Sequence, residues 1–174
     1  MVKSTFLNLP EAKKARITEV LLEEFSTYPL TDAKVSRIVK DAEIARGAFY
    51  KYFDDLTDAY LYIFRIAIKE IHAGFRPNGK FNPEFFYQSV KDFVEKTQNS
   101  RFQPLMKLHM LRNESVLGVM QMSPKNSLKL NPEFWVAMVL SHDTINACFN
   151  DPELSDEFLD RLKKSLDLID KGMK

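Results

Sequence analysis

Apolar side chains recur along this chain three and four residues apart, the period of one face of an α-helix. Ile17, Leu21 and Phe25 share one face of a first helical segment, with Val20 beside them. Pro10 stands where a first turn tolerates proline, and Glu11 suits the positive helix end. Tyr28-Pro29 ends the segment, because a residue before proline is pushed out of helical geometry. Thr31 or Asp32 then caps a second helix whose inner face is Val35, Ile38 and Val39. A short break over residues 41–44 follows. Further on, Asp55 is a good N-cap, and Asp58 three residues later closes a box-like cap. The helix after it carries Ala59, Tyr60, Ile63, Phe64, Ala67, Ile68 and Ile71 inward and ends near Gly74.

Residues 76–83, RPNGKFNP, form the clearest linker. They set an expected boundary between a domain of residues 1–75 and one of residues 76–174. The second part restarts at Asn82-Pro83, an N-cap followed by proline at the first helical position. Phe85, Phe86, Val90, Phe93 and Val94 keep the helical period, and another helical stretch runs through Met106, Leu108, Met110 and Leu111. SPKNS interrupts, Asn131-Pro132 opens a largely apolar helix, and a last helix carries the stripe Phe158, Leu162, Leu166, Ile169 and Met173. The fold class expected is all-α, with no internal repeat.

Composition narrows the function classes. With 174 residues and 45% hydrophobic positions, a sizeable core can be buried. No long uncharged apolar run suggests a membrane span, and the first residues lack the apolar block of a secretory signal. The single cysteine, Cys148, excludes an internal disulfide and fits a reducing, cytoplasmic setting. Net charge is +1, so a polyanionic partner must be judged from local charge.

Local charge matters most at ARGAFYKYF, residues 45–53, where four aromatic rings stand beside Arg46 and Lys51. A core would reject the cations and a solvated face would reject the rings. A helix, a tight break and a short second helix are the layout of a helix-turn-helix, whose second helix enters the DNA major groove. Over residues 33–53, Lys34, Arg37, Lys40, Arg46 and Lys51 outnumber Asp41 and Glu43 by three. On this layout Phe49 and Phe53 pin the short helix inward. Tyr50 and Tyr52 offer hydroxyls to phosphate oxygens, and Gly47 admits the sugar-phosphate backbone.

These residues resemble the DNA-binding domain of TetR-family transcriptional regulators. The family pattern has an Ile-Ala pair, an Ala-Gly-Val-Ser turn, then Lys-Gly-Thr-Leu-Tyr-x-Tyr-Phe. Here Ile38-Val39 stands for the pair, Ala42-Glu43-Ile44-Ala45 for the turn, and residues 46–53 follow without a gap. The match spans roughly residues 10–75; the later helices resemble the family only in number, length and composition. The resemblance implies a cytoplasmic, usually bacterial homodimer. Its N-terminal helix-turn-helix domain would be joined by a long helix to a C-terminal domain that binds a small, often apolar effector and dimerises through its last two helices. It implies a repressor released from double-stranded operator DNA by that effector. It also carries DNA-binding roles to Thr31, Lys34, Arg46, Gly47, Ala48, Tyr50, Lys51 and Tyr52.

Four positions depart from the pattern. Glu43 replaces the turn glycine, which costs on the order of 1 kcal/mol if the position needs a positive φ. Ala45 replaces a capping serine, a loss of roughly 1 kcal/mol. Ala48 lacks the family's hydroxyl. Leu56 replaces a lysine that usually meets phosphate, with Asp54 and Asp55 beside it. Weaker and more salt-sensitive DNA binding than the family norm, or a different contact set near the start of the helix after Asp55, is therefore expected. The rival expectation is an α-helical protein-interaction module that keeps the fold without binding DNA.

Candidate effector contacts are Met106, His109, Met110, Met120, Trp135, Met138 and His142, since methionine adapts to varied apolar shapes. Candidate dimer contacts are Phe158, Leu162, Leu166 and Ile169, through a four-helix bundle. Enzyme chemistry is not expected: on a helix His142 and Asp143 point about 100° apart, so they do not pair as base and orienter. His109, His142 and Cys148 lack metal-ligand spacing, so neither metal nor cofactor is expected.

Overall fold

In a computed structural model, residues 2–71, 81–117 and 128–172 are described. Ten α-helices are found among them, interrupted by one π-helical and one 3-10 segment, and no strand. They are α1 (Ser4–Leu7), α2 (Glu11–Thr27), α3 (Val35–Asp41), α4 (Arg46–Tyr52), α5 (Leu56–Ile71), α6 (Pro83–Gln98), α7 (Gln103–Leu108), α8 (Glu114–Leu117), α9 (Pro132–Asn150) and α10 (Ser155–Gly172). The π-helical segment is His109–Asn113, and the 3-10 turn is Pro152–Leu154.

The chain divides into two compact units. The first holds residues up to Glu70 together with Arg101–Asn113; the second holds Ile71–Ser100 and Glu114–Lys174. The expected boundary at residue 75 lies within residues 72–80, outside those described, as does the end near Gly74. The structure differs from the expected division in one respect. Residues 101–113, assigned by sequence to the second domain, fold with the first. The cause is burial and hydrogen bonding: Phe102, Leu105 and Met106 are buried, and α7 packs against α2. Asn113 Oδ1 accepts from the Leu30 amide at 2.8 Å, and Arg101 pairs with Glu19 at 2.7 Å.

In the first unit α2 buries Ile17, Leu21 and Phe25, spaced as the sequence requires, and α5 buries Ala59, Tyr60, Ile63, Phe64 and Ala67. The helix starts show how local chemistry fixes the elements. Asp55 Oδ1 accepts from the Asp58 amide at 2.7 Å, and Asp58 Oδ2 accepts from the Asp54 amide at 3.1 Å, a reciprocal cap of the expected kind. At α3 the expected caps, Thr31 and Asp32, are not used. Its N-cap is Lys34, and Glu24, reaching across from α2, accepts the Lys34 amide at 2.7 Å. Glu24 is buried and also receives Arg37 at 2.6–3.1 Å. A cap from another helix has no sequence signature at the helix it caps.

In the second unit α6, α9 and α10 pack on one another. Phe86, Val90 and Val94 of α6 face Ala137 and Cys148 of α9 and Leu159, Leu162 and Leu166 of α10 in one core. Asn82 caps α6 by accepting from the Phe85 amide at 3.1 Å, with Pro83 at the first helical position. The stripe on the last helix is real, but it points inward. Leu162 and Leu166 are buried, and Phe158 and Ile169 pack against the same core. Leu162 and Leu166 are therefore not open to a partner, while Phe158 and Ile169 remain part-exposed. Met173 lies outside the described residues, as do SPKNS and Met120.

Candidate nucleic-acid interface

The short helix α4 has two unlike sides. Counting 100° per residue, Arg46, Tyr50, Gly47 and Lys51 fall within an arc of about 140°, and all four are exposed. Phe49 and Tyr52 fall on the opposite side and are buried, with Phe53 buried just beyond the helix end. The aromatic residues divide as the sequence suggested, with one correction. Tyr52 is not on the open face: its ring packs 5.8 Å from that of Phe6, leaving it 7% exposed. Tyr50, at 43%, presents its ring outward. Ala48 is half-buried at the margin.

The turn before α4 is tight. Ala42 ends α3, Glu43 takes φ 50°, and the Ile44 amide donates to Val39 O at 3.0 Å. The departure at Glu43 therefore sits in the left-handed region that favours glycine. Arg16 pairs with the Glu43 carboxylate at 2.7 Å. Ala45 occupies the N-cap of α4, and no side chain caps that helix. Both sequence departures thus stand at the positions where their cost is felt.

Charge around α4 sorts into committed and open groups. Arg37, counted above as a contributor to basicity, is committed: it binds Glu24, donates to Asp32 O at 2.8 Å and lies 3.7 Å over the Tyr28 ring. Its hydrogen bond to Glu24 raises its pKa. Among the described residues Lys34, Lys40, Arg46 and Lys51 carry no internal ion pair, and all four are exposed, as is Thr31. The carboxylates expected to repel phosphate are also engaged. Asp54 pairs with Lys3 at 2.9 Å, which holds its carboxyl below the usual range, and Asp55 caps α5. Sequence reasoning did not bring Lys3 into this site.

Gly47 is exposed, and a Cβ built there would meet no atom within 4 Å. Nothing inside the protein demands glycine, although glycine within a helix costs up to about 1 kcal/mol relative to alanine.

The candidate effector residues do not gather in one unit. Met106, His109 and Met110 belong to the first unit, and Trp135, Met138 and His142 to the second. His109 is buried; its Nδ1 lies 2.8 Å from Tyr60 Oη and its ring stacks 4.0 Å from Phe64. His142 pairs with Glu114 at 2.8 Å on the exposed side of α9, and Trp135 is half exposed.

No known family profile and no curated protein sequence matches the chain. Solved structures do. A TetR family transcriptional regulator from Chloroflexus aurantiacus J-10-fl matches with a TM-score of 0.55 and 20% identity, over 99% of this chain and 98% of that one. NalD of Pseudomonas aeruginosa, the secondary repressor of the MexAB-OprM multidrug efflux pump, matches with a TM-score of 0.55 and 14% identity, over 90% and 95%. The resemblance read from residues 10–75 thus extends to the architecture of nearly the whole chain, which has the all-helical fold of TetR-family transcriptional regulators.

Proposed function

We propose that the chain is a DNA-binding transcriptional regulator, and that it acts as a homodimeric repressor released by a small apolar effector. The observation that carries DNA binding is Gly47. A helical glycine with open space around it lowers stability and serves no internal contact, yet Arg46, Tyr50 and Lys51 surround it on the open face. A sugar-phosphate backbone drawn close at Gly47 gives the glycine a purpose. The cations and the Tyr50 hydroxyl then meet phosphates and base edges. The effector would favour a spacing of two recognition helices that no longer matches two half-sites.

Gly47→Ala separates this reading from a structural one. Alanine should raise the urea midpoint, by about 0.5 kcal/mol of stability. It should also weaken binding to duplex DNA from the gene's own upstream region at least tenfold in a mobility-shift assay. Unchanged affinity in a more stable variant would defeat the reading. If the parent chain shifts no duplex, the protein-interaction reading takes its place.

A further inference from the structure

The recognition helix is poorly fastened at its start. It has seven residues, an uncapped N-terminus and an internal glycine. A helix so short does not persist on its own, and the carbonyls of its last turn need partners from elsewhere. Phe49 O is taken by the Phe53 amide at 2.9 Å. The three carbonyls that follow are all taken by the first residues of the chain. Lys3 Nζ donates to Tyr50 O at 2.8 Å, the Thr5 hydroxyl donates to Lys51 O, and the Lys3 amide donates to Tyr52 O at 3.0 Å. Between these bonds Phe6 is fully buried, its ring 4.9 Å from Phe53, 5.0 Å from Tyr62 and 5.8 Å from Tyr52. Lys3 also ties Asp54, the second residue past the helix, at 2.9 Å.

We infer that residues 3–6 form a clamp that positions the recognition helix, supplying the C-terminal cap that α4 lacks and so setting the orientation in which Arg46, Tyr50 and Lys51 meet DNA. The inference rests on the DNA-binding reading above. Lys3 and Thr5 are positioning residues: they act through the backbone of α4. A positive charge at Lys3 has a second effect, because it pairs with the Asp54 carboxylate two residues past the recognition helix.

The test uses the full chain and two probes: a random-sequence duplex library, and the tightest duplex the parent selects from it. The variants are Lys3→Met with Thr5→Val, and Lys3→Arg alone. Amide hydrogen exchange over Tyr50–Phe53 is followed in the free protein. The clamp predicts that Lys3→Met with Thr5→Val speeds that exchange and weakens duplex binding, each by about tenfold, as expected for two lost hydrogen bonds. Lys3→Arg should stay near the parent in both. Unchanged affinity in the double variant would overturn the clamp while leaving DNA binding intact. Weaker affinity with unaltered exchange would overturn it in favour of a direct contact from Lys3 to DNA. A parent that selects no duplex would overturn both the clamp's purpose and the reading beneath it.

Discussion

Glu43 shows how a single residue can sit against its own backbone preference. At φ 50° a side chain crowds the main chain, and glycine would relieve on the order of 1 kcal/mol. The exposed ion pair to Arg16 offsets at most part of this, since such pairs contribute little in water. Glu43→Gly made in an Arg16→Met background should therefore raise stability by about 1 kcal/mol, read as a higher urea midpoint with unchanged slope. The position was legible beforehand, because the family pattern places a glycine there and the chain does not. Arg16 was not legible, since 27 residues separate it from its partner. The same limit applies to Lys3. Its role comes from a fold that brings residue 3 beside residues 50–54, and no periodicity encodes that meeting.

Elements were read well where their ends carry their own chemistry. Asp55 with Asp58, and Asn82 with Pro83, begin helices where the residues say they should. Two devices escaped notice because they come from outside the local sequence. One is the Glu24 cap on α3. The other is the π-helical segment His109–Asn113, which inserts an extra residue per turn and buries both His109 and Asn113. Methionine-rich helical spacing around residue 109 suggested pocket lining; the segment packs His109 on Tyr60 and Phe64. Burial raises the Tyr60 phenol well above its ordinary value near 10. The sign follows from linkage: this contribution is fully present below the unfolded-state pKa. It declines above it, as the unfolded phenol ionises and the folded one does not. Stability of the parent should therefore fall above pH 10 by up to about 1.4 kcal/mol per unit more steeply than that of Tyr60→Phe. Urea melts of both proteins across pH 9–11 would check this; parallel curves would contradict it.

For the whole molecule, the inward stripe on α10 narrows the proposed dimer contact. Leu162 and Leu166 already serve the core of their own subunit. Large apolar side chains left open lie elsewhere: Trp135 and Val139, one turn apart on α9, are about half exposed, and Leu168 on α10 is 69% exposed. If these faces pair, sedimentation velocity at micromolar concentration should give the mass of two chains. Trp135→Glu with Val139→Glu should give one. A parent that sediments as a single chain would remove the dimer from the reading. With four open cations near each α4, the dimer would bring eight to a duplex. Its affinity should then fall with salt on a double-logarithmic slope of up to about 7.

The partition of the chain has a consequence for its synthesis. Residues 1–70 leave the ribosome early, but the side chains that complete their core, Phe102, Leu105 and Met106, come some thirty residues later. The Leu30 amide waits still longer, for Asn113. A nascent chain halted at residue 75 should thus show helices without a fixed tertiary core, broad in its NMR spectrum and without a cooperative melt. The part that reads like a detachable module is finished only by a segment translated after a stretch that belongs to its neighbour.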